Sequence, residues 1–244
     1  MVSIVALLSA TAARDIMLYI GLDDTDMPGT RGTGHLARDV ASWLQGEYTI
    51  TGITRHQLLH DRRIPYTANN SSNVIGIDTH EGNVESLADL VAAYVLPQCP
   101  EGSDPGLCIA FPEQVRGVSF GLQCQSEIVP VSLAVETAKA HGVLLRSLAG
   151  SPCGMIGALA GVCLRASGND GRYVQVGGIR ELTGRVSIEV VLNSGIDRVL
   201  EENGLEVRAG LVETGDKIRP ALRDRLVTLF VRPVEQGVWQ ALKV

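Results

Sequence analysis

The segment Tyr19-Ile20-Gly21-Leu22-Asp23-Asp24-Thr25-Asp26 joins a short apolar run to three carboxylates within four residues. A loop that contains Gly29, Gly32 and Gly34 follows it and leads into a helical pattern. Neighbouring carboxylates repel one another unless a cation lies among them, and Mg²⁺ is a hard cation that binds such oxygen ligands. Glycines allow backbone N–H groups to point at an anion at a helix N-terminus. The pattern therefore predicts a Mg-nucleotide site at the end of a strand.

The three aspartates Asp23, Asp24 and Asp26 are the predicted metal ligands and catalytic carboxylates. Strand alternation directs Asp23 and Asp24 to opposite faces, so we expect Asp26 to hold the ion together with one of them. Thr33 is a candidate phosphate acceptor or hydroxyl ligand, and a helix N-cap is the alternative role for it. The predicted nucleotide contacts are the glycine loop, one arginine and one asparagine: Gly29, Thr30, Gly32, Gly34, Arg55 and Asn70.

Two other interpretations of the aspartates are open at this point. Asp and Gly are common turn residues, so the segment could be a solvated loop with Asx-turns. Haloacid-dehalogenase-type phosphatases also begin from an Asp pair at a strand end, in the order D-x-D-x-T. Asp24 and Asp26 have that spacing, but Pro28 stands where the threonine is required. The phosphatase interpretation is therefore disfavoured.

Three segments, in order along the chain, resemble a known family. Gly21-Leu22-Asp23-Asp24-Thr25-Asp26 resembles a GIDDTD signature, Ile64-Pro65-Tyr66 resembles the start of an IPYKTRGNG segment, and Gly154–Gly161 resembles a G-x-IGALAAIG segment. These are segments of the archaeal tRNA-isoleucine 2-agmatinylcytidine synthetase family, which uses ATP to attach agmatine to an anticodon cytidine. The resemblance implies ATP as a cofactor, and it places Thr33 at the position of the family's autophosphorylated threonine.

The chain also departs from that family. Thr67, Ala68 and Asn69 replace its Lys and Arg after Ile-Pro-Tyr, which removes two positive charges that could contact phosphate. In that family an OB-fold and a zinc ribbon grip tRNA, and we expect neither module here because the sequence ends before the position at which they would begin. The five cysteines also contain no C-x-x-C pair from which a zinc ribbon could be built. We therefore expect a small-molecule acceptor, with an amine as the attacking group. The alternatives are a tRNA cytidine-modifying enzyme with a partner subunit, or a non-catalytic ligand-binding homologue.

The composition is that of a folded globular protein. Of 244 residues, 45% are hydrophobic and 20% are charged, and the formal net charge of −6 disfavours unaided nucleic-acid binding. Scattered cysteines, some within apolar runs, favour reduced thiols and a cytoplasmic location, with a catalytic role for Cys124 or Cys153 as the alternative. After residue 16, no stretch approaches 18 uninterrupted apolar residues, so no membrane span is expected. The basic segment 55–63 is either a phosphate clamp or a solvated hairpin edge.

We predict an α+β fold of two ferredoxin-like, split βαβ-type layers, with mixed or antiparallel sheets and helices on one face. Residues 17–150 form a kinase-like nucleotide-binding domain and residues 151–244 a ferredoxin-like domain, unless a helix interleaves the two. Residues 1–16 are an extension from a misplaced start codon, with a signal peptide as the alternative.

Hydrophobic periodicity gives the individual elements. The predicted strands are 17–22, 48–59, 73–78, 107–111, 173–179, 185–192 and 226–231, the last of them closed by Pro233. The predicted helices are 34–44, 84–96, 129–141, 155–166 and 196–203, with a further helix around Trp239.

Overall fold

The computed structural model describes residues 16–67, 69–80 and 83–243. The predicted extension lies outside these residues, except for Ile16, which begins the first strand. In the described ranges the strands are β1 Ile16–Asp23, β2 Thr49–Gln57, β3 Ser71–Thr79, β4 Gly106–Ala110, β5 Leu144–Ser147, β6 Arg172–Gln175, β7 Arg185–Ser187, β8 Arg198–Glu201, β9 Leu211–Glu213, β10 Ala221–Arg223, β11 Leu226–Glu235 and β12 Val238–Ala241. The helices are α1 Thr33–Leu44, α2 Val84–Val95, α3 Pro112–Val115, α4 Phe120–Ser126, α5 Val131–Ala140, α6 Gly154–Ser167 and α7 Ile188–Asn193.

The first half of the chain forms the predicted β-α-β-β-α-β unit. Its strands lie in the order β4-β1-β3-β2, and each neighbouring pair is antiparallel. Ile20 of β1 lies between Ile75 of β3 and Ile109 of β4, so the middle of the sheet is a row of buried aliphatic side chains. The α+β class and this split βαβ topology are confirmed.

Helices cover both faces of this sheet, which corrects the expectation of helices on one face. Leu18, Ile20 and Leu22 pack with α1 and α2, whereas Tyr19 packs with α6 on the opposite face. Side chains of a strand point alternately to its two faces, and β1 has apolar residues on both. Each face is therefore buried by helices. A Cβ at Gly21 would stand 2.3 Å from the carbonyl oxygen of Ala158, so α6 lies directly on the strand.

Helix α6 follows residue 151 in sequence but packs on the sheet of the first unit. It carries Arg165, which is 4% exposed and donates to the carbonyl oxygens of Gly52 (3.0 Å) and Val74 (2.7 Å). The guanidinium also lies over the ring of Tyr19, 4.8 Å from its centroid. Strand β6 then pairs with β2, so the sheet continues into the second half of the chain. The domain division at residues 150 and 151 stays a prediction.

Three elements of the second half differ from those predicted. The segment after β7 is the helix α7 rather than a strand, because Ser187 accepts a hydrogen bond from Val190 N and so caps a helix start. The predicted helix 196–203 is wrong, since β8 pairs parallel with β11 and buries Val199. The tail around Trp239 is the strand β12, and β11 runs past Pro233 with a register shift beside it.

A buried histidine joins β2 to the turn after α6. His56 is fully buried, with Nε2 2.8 Å from the Thr54 hydroxyl and Nδ1 2.8 Å from Asp170 Oδ1. Burial lowers the pKa of His56 and outweighs the opposing effect of Asp170. The ring is therefore neutral at pH 7, with Nδ1–H donating to the carboxylate.

This histidine should make stability depend on pH. The unfolded chain binds a proton on His56 below about pH 6.5 and the folded chain resists it, so the free energy of unfolding falls as the pH falls. Between pH 7.5 and 5.5 we therefore expect the free energy of unfolding to fall more in the wild type than in a chain without this histidine. Urea unfolding of wild type and His56→Gln at both pH values measures it. Asp23 and Asp24 titrate in both chains, so equal pH responses of the two proteins would contradict the assignment.

Within the described residues, no helix combines the length and the apolar character that crossing a bilayer requires.

Candidate functional site

Asp23 is the last residue of β1, and its carboxylate lies against α6. A Cβ added at Gly157 would stand 1.8 Å from Asp23 Oδ2, so the absence of a side chain at position 157 makes room for the carboxylate. Burial and the neighbouring charge of Asp24 raise the pKa of Asp23 to about 8. The end of the strand and the glycine of the helix together form one wall of the site.

Asp24 turns the chain away from the sheet. Its φ of 53° lies in the left-handed region, which Asp tolerates better than most residues. Burial, followed by the charges of Asp104 and Asp26, raises the pKa of Asp24 to about 6.

Sequence reasoning missed Asp104, which lies between the predicted helix 84–96 and the predicted strand 107–111. Its Oδ1 accepts from the backbone N–H of Ser151 at 2.6 Å, and its Oδ2 accepts from the Ser151 hydroxyl. Gly106, two residues on, is the register partner of Asp23. The split βαβ topology places β4 beside β1, so the acidic residue just before β4 could have been placed next to the aspartate cluster.

A hydroxyl network holds Asp26. Thr33 Oγ1 donates to Asp26 Oδ1 at 2.9 Å and accepts from the Thr25 hydroxyl at 3.1 Å. Thr67 donates to Asp26 Oδ2 at 3.0 Å. Thr67 stands in the loop where the resembled family has a cation, and nothing in its residue type alone marked it as a partner of Asp26.

Thr33 is the first residue of α1, not its N-cap. The N-cap is Gly32, which has no side chain to cap the helix, so among the described residues α1 has no side-chain N-cap hydrogen bond. Beside this helix end, Asn73 is 2% exposed and its Oδ1 has no hydrogen-bond partner among the described residues. A Cβ at Gly34 would stand 3.3 Å from this oxygen. His35 N–H donates to the carbonyl oxygen of Gly32 at 2.7 Å, so the start of the helix offers the N–H groups of Thr33 and Gly34, with the unpaired Asn73 amide oxygen beside them.

Most of the other predicted nucleotide contacts take part in local hydrogen bonds or turns. Gly29 and Thr30 form an exposed turn in which the Thr30 hydroxyl bonds Met27. Arg55 donates from Nε to Ser71 Oγ at 2.8 Å. Asn70 donates to the carbonyl oxygen of Leu59 at 2.8 Å. Gly32 and Gly34 flank Thr33 at the end of the helix.

A pocket of about 260 Å³ opens beside the aspartates. Of the predicted residues it is lined by Asp23, Asp24, Asp26, Thr33 and Asn70. The rest of its wall is mixed. Apolar or amide-bearing residues are Leu58, Ile64, Pro65, Tyr66, Asn69, Ile128, Val129, Ile156 and Gly157, and charged or hydroxyl-bearing residues are Arg63, Thr67, Ser71 and Glu127. Small-molecule pockets typically measure roughly 300–1,000 Å³, so this pocket lies just below that range.

Two cysteines also lie in the wall of the pocket. Cys124 is buried, and burial raises the pKa of its thiol to about 12, which leaves it protonated and unreactive. Cys153 is exposed at the pocket edge.

The carboxylates are suited to a divalent cation that brings its own further ligands. Over the described ranges, Asp23, Asp24 and Asp26 have no Lys or Arg ion-pair partner. No group of three or more Asp, Glu, His or Cys side chains in these ranges is arranged to bind a metal ion by itself. Mg²⁺ usually keeps several waters and takes one or two carboxylates plus substrate phosphates. Repelling carboxylates and an orphaned amide oxygen beside an uncapped helix fit that mode of binding.

No protein-family model matches the chain, and no curated protein sequence matches it. Solved structures do. A tRNA fluorescent labelling enzyme aligns with a TM-score of 0.54 and 23% identity, over 61% of this chain and 36% of its own. A tRNA-isoleucine agmatidine synthetase in its apo form aligns with a TM-score of 0.53 and 22% identity, over 61% and 35%. The complex of that synthetase with its tRNA and ATP gives 0.53 and 22%, over 61% and 36%.

The chain thus spans about a third of the length of the structures that it matches. At these identities the similarity shows a shared fold. The sequence resemblance and the structural comparison point to the same group of proteins. The structural match covers only part of this chain and only part of each matched chain.

Proposed function

We propose that the protein is a Mg·ATP-dependent enzyme of the phosphoryl- or adenylyl-transfer type. One observation carries the proposal: Asp26 holds the Thr33 hydroxyl at the uncapped start of α1, beside two carboxylates that lack a cationic partner in the described part of the chain. Helix N-termini bind phosphate, and carboxylates at a strand end bind the accompanying metal. The solved complex of a structural neighbour with ATP supports the choice of nucleotide.

The chain's own residues would work mainly by position and charge. Asp24 and Asp26, or Asp23 and Asp26, would hold magnesium, which when bound neutralises charge on the transferred group. The N–H groups at the start of α1 would orient phosphate oxygens. The Thr33 hydroxyl already donates to Asp26, so a proton acceptor is in place if that oxygen is used as a nucleophile.

The acceptor that we propose is a small molecule with an amine as the attacking group. The net charge of −6 and the small, partly apolar pocket support this choice. A structural neighbour was solved with tRNA, an ATP analogue and agmatine, so action on tRNA with a partner subunit is the alternative acceptor.

A non-catalytic ligand-binding protein is the second candidate function. The observation that favours it is Thr67, which contacts Asp26 where the resembled family would place a cation. Such a protein would bind nucleotide without cleaving it.

Thermal unfolding and product analysis with ATP test the proposal. ATP with Mg²⁺ should stabilise the folded chain, by about 2.7 kcal/mol at a ligand concentration 100 times the dissociation constant. ATP with EDTA should stabilise it much less, because repulsion between carboxylates and phosphates is then uncompensated. Release of phosphate or of pyrophosphate identifies the bond that is cleaved. Stabilisation without turnover, both with ATP alone and after addition of an amine such as agmatine, would favour the non-catalytic candidate. Equal stabilisation with Mg²⁺ and EDTA would contradict the metal site.

A further inference from the structure

Arginines occupy matching positions on three adjacent strands. Arg55 on β2 is the register partner of Arg172 on β6, so the two stand side by side on one face of the sheet. Arg172 in turn is the partner of Ala221 on β10, and Arg223 lies two residues further along that strand, hence on the same face. Like charges directly opposite each other on neighbouring strands destabilise a sheet. The pairing of Arg55 with Arg172 therefore needs a compensating anion.

These three arginines line a cavity of about 320 Å³, together with Gln57, Asp170 and Gly171. Asp170 is the acid in this lining, and both of its oxygens are engaged. Oδ1 lies 2.8 Å from His56 Nδ1, and Oδ2 accepts from Gln125 at 2.9 Å. Three guanidinium groups thus face one carboxylate that is already hydrogen-bonded elsewhere.

Further arginines extend the positive charge. Burial lowers the pKa of Arg219, and the nearby charges of Arg180, Arg172, Arg38 and Arg55 lower it further. The guanidinium groups donate to backbone carbonyl oxygens: Arg38 to that of Gly34 at 2.8 Å and Arg219 to that of Ile218 at 3.1 Å. Neither forms an ion pair with a carboxylate over the described residues. The surface is locally basic although the chain as a whole is acidic.

The cavity lined by Arg55, Arg172 and Arg223 (the arginine cavity) adjoins the pocket beside Asp23, Asp24 and Asp26 (the aspartate pocket). Arg55 Nε donates to Ser71 Oγ at 2.8 Å, and Ser71 lines the aspartate pocket, so Arg55 contacts the wall of that pocket. Asp26 lines the aspartate pocket and Arg55 lines the arginine cavity. One substrate can therefore lie near the reacting centre while a second group of it is held by the arginines.

We propose that Arg55, Arg172 and Arg223 bind a phosphate group of the second substrate, so that the acceptor is a phosphorylated compound. Guanidinium groups match phosphate oxygens with paired hydrogen bonds, and a recessed cavity suits one compact anion. The phosphate can belong to a phosphorylated small molecule or to the backbone of an RNA strand. The role of that compound as acceptor rests on the proposed function, whereas phosphate binding by the cavity does not.

Two probes test the cavity, in EDTA and without nucleotide. Inorganic pyrophosphate is titrated by calorimetry, and a labelled ten-nucleotide single-stranded RNA is titrated by fluorescence anisotropy across salt concentrations. Arg172→Gln should weaken binding of the recognised probe by roughly 10- to 100-fold, the loss expected for hydrogen bonds to a charged group. Arg185→Gln is the matched control, because Arg185 lies on β7 at the end of the sheet and pairs with Glu213 and Glu235.

Each outcome decides the proposal. Pyrophosphate binding that Arg172→Gln weakens supports a phosphorylated small molecule, and salt-sensitive RNA binding that it weakens supports a phosphodiester backbone. Arg223→Gln replaces Arg172→Gln if the latter fails to unfold cooperatively. Absence of binding by both probes, or equal losses in Arg185→Gln, overturns the proposal. Asp24→Asn should keep the probe affinity while it loses Mg·ATP turnover, so failure of the cavity and failure of the enzymatic function are distinguishable.

Discussion

Asp24→Asn is expected to lower Mg-dependent ATP turnover by roughly 100- to 1,000-fold, the cost of removing one charged group that acts on a transferred phosphoryl group. Asn keeps the size of Asp and tolerates the φ of 53° at this position, so the backbone turn is preserved. The substitution also removes repulsion from Asp104 and Asp26. The thermal midpoint should therefore stay unchanged or rise while turnover falls. Steady-state kinetics and thermal unfolding of the same preparation measure both quantities.

The chain offers a matched control for this substitution. Asp224 also has a φ of 53°, but its side chain is exposed, bonds Arg198 at 2.6 Å and does not line the aspartate pocket. Asp224→Asn makes the same change of charge in the same backbone conformation, and it should leave turnover within about twofold because an exposed pair contributes little. Similar losses in the two variants, or full activity of Asp24→Asn, would show that the aspartate cluster does not act on nucleotide.

The first half of the fold could be predicted because its signals are local. The short apolar run of β1 and a helical stripe in α1 each fit a single element, and the order of elements fixes the split βαβ topology. Helices on the second face were not predicted. The helix that covers that face, α6, is distant in sequence, and hydrophobic periodicity does not identify the partner of a strand face.

The second half was harder to predict because β-branched residues fit more than one element. Ile188, Val190 and Val191 have strand propensity, but the cap from Ser187 and burial of Val191 make this segment a helix. Conversely, β8 has a helical composition and becomes a strand through its pairing with β11. Tertiary contacts decide such short segments, and single-sequence patterns do not contain them.

The candidate site was predicted where it is continuous in sequence and missed where it is not. Asp23, Asp24, Asp26 and Thr33 come together as expected from one segment. Asp104 and Thr67 enter from other loops, and the pairing of Arg55 with Arg172 depends on β2 meeting β6. That strand pairing crosses the predicted domain boundary, so neither half of the sequence alone contains a signal for it.

Gly157→Ala, in the wall of the site formed by α6, is expected to lower ATP turnover while it leaves the thermal stability nearly unchanged. The new Cβ would stand 1.8 Å from Asp23 Oδ2 and 2.4 Å from its Cγ, so the carboxylate must turn away. A displacement of about 1 Å at a reacting centre can cost about 100-fold in rate, and we expect a loss of that size. Alanine also favours helix over glycine by about 1 kcal/mol, which offsets the strain of moving one flexible side chain. The thermal midpoint should therefore change little.

Gly161→Ala, one turn further along α6, should give the opposite result. Its Cβ would meet Ser72 Oγ at 2.4 Å, Ser72 Cβ at 2.9 Å and Val74 Cγ2 at 3.0 Å, which are strand side chains with no room to move. Overpacking of this kind typically costs about 1–3 kcal/mol, so the variant should unfold earlier, with turnover per folded molecule largely kept. If both variants lost stability equally and neither lost activity selectively, α6 would be a structural cover of the sheet, and Asp23 would have no part in the chemistry. A selective loss in Gly157→Ala would instead show that the glycine is needed because a working carboxylate occupies the space beside it.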